Sequence, residues 1–251
     1  MLMTNHRVID LSDGPAWLKV SLERLVIERE EMEPVTVPLC DLAALVVSHP
    51  QVKYSQAVLA GIAAAGGIFV ACDAKHMPAA MMMPLAGHHV QTERFAKQAS
   101  AGLPVKKRLW QQIVRAKVRA QSRVLQRLRG DDRGIAALIP NVRSGDPSNV
   151  EAQAARKYWP ALFADKTFRR DPDGGDANAQ LNYGYTVLRA IVMRGICGAG
   201  LHPSLGLFHH NRYDTFCLAD DLMEPMRPIV DEAVVKRVQQ TGMPSPLDKE
   251  A

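Results

Sequence analysis

The spacing of apolar residues changes once along these 251 residues, and that single change limits the fold more than any motif does. Up to about residue 73, branched and aromatic side chains come in short runs, at 8–11, 17–20, 25–28, 35–39 and 42–48. Polar turns such as Ser12-Asp13-Gly14 divide them, which is the pattern of strands. Residues 54–65 read as one helix stopped by Gly66-Gly67, and the wholly apolar run 68–72 reads as a strand buried on both faces. From Gln91 onward the period is helical and stays so for most of the chain. The expected class is therefore α+β and multidomain. A small β-rich N-terminal domain spans 1–76, residues 77–90 form a linker, and a larger all-α domain spans 91–251. The linker is marked by Pro78, Pro84, Gly87 and four methionines, a composition of adaptable packing.

Charge is the next constraint. The net charge of +5 is modest, but between Leu103 and Arg143 eleven Lys or Arg face only Asp131 and Asp132, an excess that points to a polyanion. Residues 105–129 form the clearest helix. Trp110, Val114, Val118, Gln121, Leu125 and Leu128 make one mainly apolar stripe, and Arg115, Arg119, Arg123 and Arg127 recur every four residues as a basic ridge. With almost no acidic partners at i+4 those arginines repel one another unless an anion lies alongside. The phosphate backbone of a nucleic acid is the natural ligand.

Cys40, Cys72, Cys197 and Cys217 form no C-x-x-C pair, so neither a zinc knuckle nor a disulfide framework is indicated. The first residues lack the apolar core of a signal peptide, and the most apolar run, 57–71, is too short and glycine-rich to span a bilayer. A cytoplasmic protein with reduced thiols, away from any membrane, is expected. The tail after Gly242 is expected to be disordered.

Possible metal ligands concentrate in residues 205–231, where His209 and His210 precede Asp220, Asp221 and Glu224. Asp221 and Glu224 are three apart, so a helical turn puts both on one face. An imidazole and carboxylates from different segments suit a hard divalent ion such as magnesium or manganese. A solvated helix end ahead of Pro225 explains the same residues without a metal. Further upstream, Ser148 or Asn149 can cap a helix beginning at Val150, which places Glu151 in its first turn. There the helix dipole alone accounts for an acid.

Three stretches carry a wider likeness: NVEAQAARKYW from Asn149, LNYGYTVLRA from Leu181, and GLHPSLGLFHHNRYDTFCLADDLMEPMRPIVD from Gly200. VVSHPQVKYSQAVLAGIAAAGGIFVACD from Val46 adds a weaker one. Their order and spacing resemble the CRISPR-associated spacer-acquisition integrase family, in the form that accompanies type II effector nucleases. The resemblance implies a β-sandwich N-terminal domain and a helical catalytic domain. It implies a Mg²⁺ or Mn²⁺ site of Glu151, His209 and Glu224, with Asp221 beside it and His210 competing with His209 for the ligand role. One departure lies near Lys117, where related chains tend to carry Asn-Gln in place of Ala120-Gln121.

The implied activity is a metal-dependent DNA endonuclease and integrase. It would insert short double-stranded DNA into a repeat array by attack of a 3′-hydroxyl on a phosphodiester, or hydrolyse the bond with water. The implied assembly is a homodimer, two of which are bridged by a small companion adaptation protein into a heterohexamer. A DNA-end-binding protein and the effector nuclease are further implied partners. A non-catalytic DNA-binding helical scaffold is the alternative.

Overall fold

The computed structural model describes residues 7–74, 78–85, 90–175 and 177–241. The expectations for Met77, Gly87 and the tail 242–251 lie outside those residues.

The strand Leu42–Val47 is buried along its whole length, because it runs between two neighbours and apolar side chains cover both of its faces. In chain order the strands are β1 (Arg7–Leu11), β2 (Ala16–Ser21), β3 (Arg24–Glu28), β4 (Val35–Pro38), β5 (Leu42–Val47), β6 (Val52–Tyr54), β7 (Ile68–Cys72) and β8 (Pro78–Met82). The helix α1 (Gln56–Ala64) lies between β6 and β7. One four-stranded sheet runs β1-β5-β7-β8, with β5 parallel to β1 and to β7, and β8 antiparallel at its edge. The other runs β4-β3-β2-β6, antiparallel except for β2 beside β6. Leu11, Leu42, Leu45 and Phe69 from the first sheet share one core with Leu18, Leu25 and Ile27 from the second and with Val58 and Ile62 of α1.

Two strands depart from the expected pattern. β6 is three residues long, and β8 lies inside the segment read as a linker. An edge strand needs partners on one side only, so Pro78 can open it and unbranched methionines can fill it. The β2–β3 hairpin turns through Leu22 and Glu23, both at positive φ, a geometry more often given to Asn-Gly.

The helices that follow are α2 (Gln91–Ala99), α3 (Leu103–Arg129), α4 (Val150–Phe163), α5 (Ala177–Gly198), α6 (Cys217–Met223) and α7 (Arg227–Thr241). Chain contacts divide the molecule into two compact units, residues 1–96 with 190–202, and residues 97–189 with 203–251. The later part of α5 thus belongs to the first unit, where Arg194 donates to the Gly66 carbonyl at 3.0 Å. Pro104 opens α3, and Gly130, left-handed at φ 72°, closes it. The apolar stripe of α3 is buried as expected, with Trp110, Val114, Val118 and Leu125 packed against Val150, Ala154, Tyr158 and Leu162 of α4 and Val235 of α7. Among the described residues no helix is long and apolar enough to cross a membrane.

Candidate functional site

The start of α4 decides what Glu151 is available to do. Asp146, itself buried, accepts hydrogen bonds from the backbone N–H groups of Val150 and Glu151, each at 3.0 Å. Asn149 accepts from Ala152 at 3.3 Å. The exposed donors of the first turn are therefore met by Asp146 and Asn149, and the Glu151 carboxylate is not needed as a cap. It reaches instead to α3, where its Oε1 lies 2.5 Å from the Lys117 ammonium.

Lys117 also forms an ion pair with Glu224 Oε2, at the C-terminal end of α6. Two carboxylates from segments 73 positions apart, residues 151 and 224, thus converge on one nitrogen and stand within two hydrogen-bond lengths of each other. Glu224 is 5% exposed, and its Oε1 lies 3.0 Å from Arg227 Nε. The cations are close but poorly directed: Glu224 Oε2 and Arg227 Nε are both buried and take part in no aligned hydrogen bond. Burial pulls the Lys117 ammonium toward losing its proton, but Glu224 and Glu151 more than offset this and hold its pKa above the ordinary value.

The histidine loop is built around a different acid. Asp221, fully buried, accepts from the backbone N–H of Leu207 at 2.6 Å, of Phe208 at 3.0 Å and of His209 at 3.2 Å. Its Oδ1 also meets His209 Nδ1 at 2.6 Å. Binding Nδ1 in this way leaves Nε2 as the nitrogen able to coordinate a metal. The hydrogen bond to Asp221 raises the His209 pKa against the opposing effect of burial, and the charges of Asp221, Glu224 and Asp220 add to the rise.

Trp110 of α3 stacks on Phe208 with ring centroids 4.3 Å apart and meets His209 edge-on at 5.7 Å, so the long helix also fixes this loop. At Gly206 an added Cβ would come within 2.6 Å of the His209 carbonyl and 2.8 Å of Cys217 Cβ, so only glycine passes there. His210 is exposed. Asp220 turns away to Arg189, whose Nε lies 2.7 Å from Oδ1.

Of the expected ligands, Glu151 and Glu224 are brought together directly, while His209 comes within electrostatic reach of Glu224. Among the described residues no three His, Cys, Asp or Glu side chains stand close enough to hold an ion as they lie. The ammonium of Lys117 stands between the two glutamates.

The arginine ridge divides. Arg115 donates to the Val142 carbonyl at 3.0 Å, and Arg127 pairs with Glu232 of α7, whereas Arg119 and Arg123 are exposed. Sequence reasoning passed over Asp146, Lys117 and Arg227 as site residues. Asp146 had a local signal, a short polar acid ahead of the helix, but the other two acquire partners only on folding.

A two-sheet unit and a helical unit on one chain make a fold that has solved members. A casposase bound to integration product shares the fold with a TM-score of 0.71 at 21% identity, over 95% of this chain and 74% of that one. A partial Cas6-RT-Cas1–Cas2 complex matches with a TM-score of 0.61 at 16% identity, over 96% and 78%. The family is given by sequence: the model for CRISPR associated protein Cas1 matches residues 11–245, and the chain belongs to that family. A CRISPR-associated endonuclease Cas1 from Neisseria meningitidis serogroup C (strain 8013) is 37% identical over 232 residues, covering 91% of this chain and 76% of its own length.

Proposed function

We propose that this chain is a metal-dependent DNA integrase and endonuclease of CRISPR adaptation, with Glu151, Glu224 and His209 as the residues that hold a magnesium or manganese ion. The observation that carries the proposal is the convergence of Glu151 and Glu224 on one cation, with Glu151 released from capping by Asp146.

The residues suit such an ion. Glu224 Oε2 is a buried acceptor without a directed hydrogen bond, and two carboxylates with an imidazole form the oxygen-rich donor set that hard divalent ions take. When bound, the ion supplies Lewis-acid stabilisation of negative charge at a phosphodiester undergoing displacement. The chain's own residues place and orient that donor set. Asp221 fixes the His209 ring and keeps Nδ1 engaged, Trp110 holds the loop from the α3 side, and Asp146 holds the α4 start from which Glu151 projects. Arg119 and Arg123 present exposed guanidinium groups to a DNA backbone.

The reaction is displacement at phosphorus, with a 3′-hydroxyl as nucleophile for strand transfer or water for hydrolysis. The names of two solved neighbours, a TtCas1-DNA complex and a partial Cas6-RT-Cas1–Cas2 complex, support a DNA substrate and a Cas2-type companion. The β-rich unit, proposed as a sandwich that pairs two copies of the chain, completes the reading, with two such pairs bridged by the companion.

The test is strand transfer into a supercoiled plasmid carrying a repeat, with manganese present. Glu151→Ala, His209→Ala and Glu224→Ala are each expected to abolish it. Undiminished transfer by these variants overturns the proposal and leaves a non-catalytic DNA-binding scaffold.

A further inference from the structure

Beside the paired glutamates lies a cavity of about 120 Å³, and Lys117 lines it together with Gln121, Tyr185, Arg227 and Asp231. Gln121 is one helical turn beyond Lys117 on α3, so the two side chains rise from the same face. It is 2% exposed, yet its Oε1 has no hydrogen-bond partner. An orphaned carbonyl oxygen at this depth is costly, and its complement is a donor.

Asp231 is the one carboxylate among the residues lining the cavity. It accepts from Tyr158 at 2.9 Å and from Tyr185, and each of its oxygens keeps a lone pair for a further donor. Of the two arginines of the lining, Arg170 is hydrogen-bonded to the Asp171 carbonyl, Asn178 and Asn182, and Arg227 is ion-paired with Glu224 and lies over the Tyr185 ring, its Nε without an aligned hydrogen bond. Lys117 carries three donors on a flexible four-carbon stem and already borders this space.

A divalent ion on Glu151 and Glu224 competes with an ammonium that bridges Glu151 Oε1 and Glu224 Oε2, because the like charges repel in a site of low exposure. We propose that Lys117 is a resident counter-cation with two seats. In the metal-free protein it bridges Glu151 and Glu224, and when a divalent ion takes those carboxylates it withdraws to Gln121 Oε1 and Asp231. This rests on the metal-site reading above and adds to it a side chain that competes with the ion. The first seat keeps two buried carboxylates compensated, and the second meets the otherwise orphaned oxygen of Gln121.

Titration of the full chain with manganese chloride, by calorimetry and without DNA, tests the exchange, with melting of the metal-free protein as a second readout. Lys117→Met is expected to bind manganese roughly ten- to a hundredfold more tightly than the parent, the range in which residues around a metal site alter affinity. It is also expected to melt lower when metal-free. Gln121→Leu, which keeps the first seat and removes part of the second, is expected to bind several-fold more weakly, and it decides the matter alone if Lys117→Met does not fold.

Manganese binding by Lys117→Met no tighter than the parent's, or unchanged binding by Gln121→Leu, overturns the exchange. Glu151→Ala separates the two layers. If the parent binds manganese and Glu151→Ala does not, the metal site stands whatever Lys117 does. If the parent and Glu151→Ala are alike, the site and the exchange fall together.

Discussion

Asp221 and Glu224 are three residues apart on one short segment, yet they serve opposite ends. Asp221 meets three backbone N–H groups and an imidazole, so its oxygens are taken up in holding the loop that carries His209. Glu224 meets only side-chain cations, and one of its oxygens receives no directed hydrogen bond. The difference separates a carboxylate that builds from one that remains able to take a ligand, and it follows from what each oxygen touches rather than from burial, since both are buried. The same division runs through the arginine ridge, where Arg115 and Arg127 are tied within the protein while Arg119 and Arg123 face outward.

Replacement tests the contrast directly. Glu224→Gln and Glu151→Gln are expected to lower strand transfer on the order of a thousandfold, as loss of groups acting on the reacting centre does, with little change in denaturant midpoint. A matching loss of stability would place them with the builders. Asp221→Ala is expected to cost roughly 3 kcal/mol in urea unfolding, because it strands three part-buried backbone donors and the His209 ring. Activity falls with it, as the His209 ring loses its orientation.

A third acid, Asp231, sharpens the comparison through pH. Burial lifts its pKa from 3.8 to about 7, against the pull of Tyr185 and Tyr158. Between those values the folded chain binds more protons than the unfolded one. The stability this proton provides is therefore complete below the unfolded pKa and is lost as pH rises through about 7. Unfolding free energy measured across that window should fall by on the order of a few kcal/mol in the parent, and Asp231→Asn should lose this contribution to the slope. The smallest effect belongs to the ridge. Arg119→Ala and Arg123→Ala should each reduce the salt slope of DNA binding by roughly one, while Arg115→Ala should leave that slope unchanged.

Much of this was readable before folding, for reasons that differ by element. The apolar stripe of the long helix and the Val150 start announce themselves by period and by cap, and the structure places α3 and α4 accordingly. β8 was hidden because proline and methionine give a weak strand signal and its pairing with β7 is what makes it a strand. In the site, the meeting of Glu151 and Glu224 was implied by the family resemblance alone, since nothing local links positions so far apart. Lys117 was hidden among the basic residues of its own helix, and only the approach of two acids distinguishes it from them.

The capping of α4 has a practical consequence. With Asp146 securing the helix start, Glu151 can be exchanged without fraying the backbone around it. Under the function proposed above, such a chain would be an intact but inert decoy, suited to capturing a nucleic acid uncut for crystallography or electron microscopy.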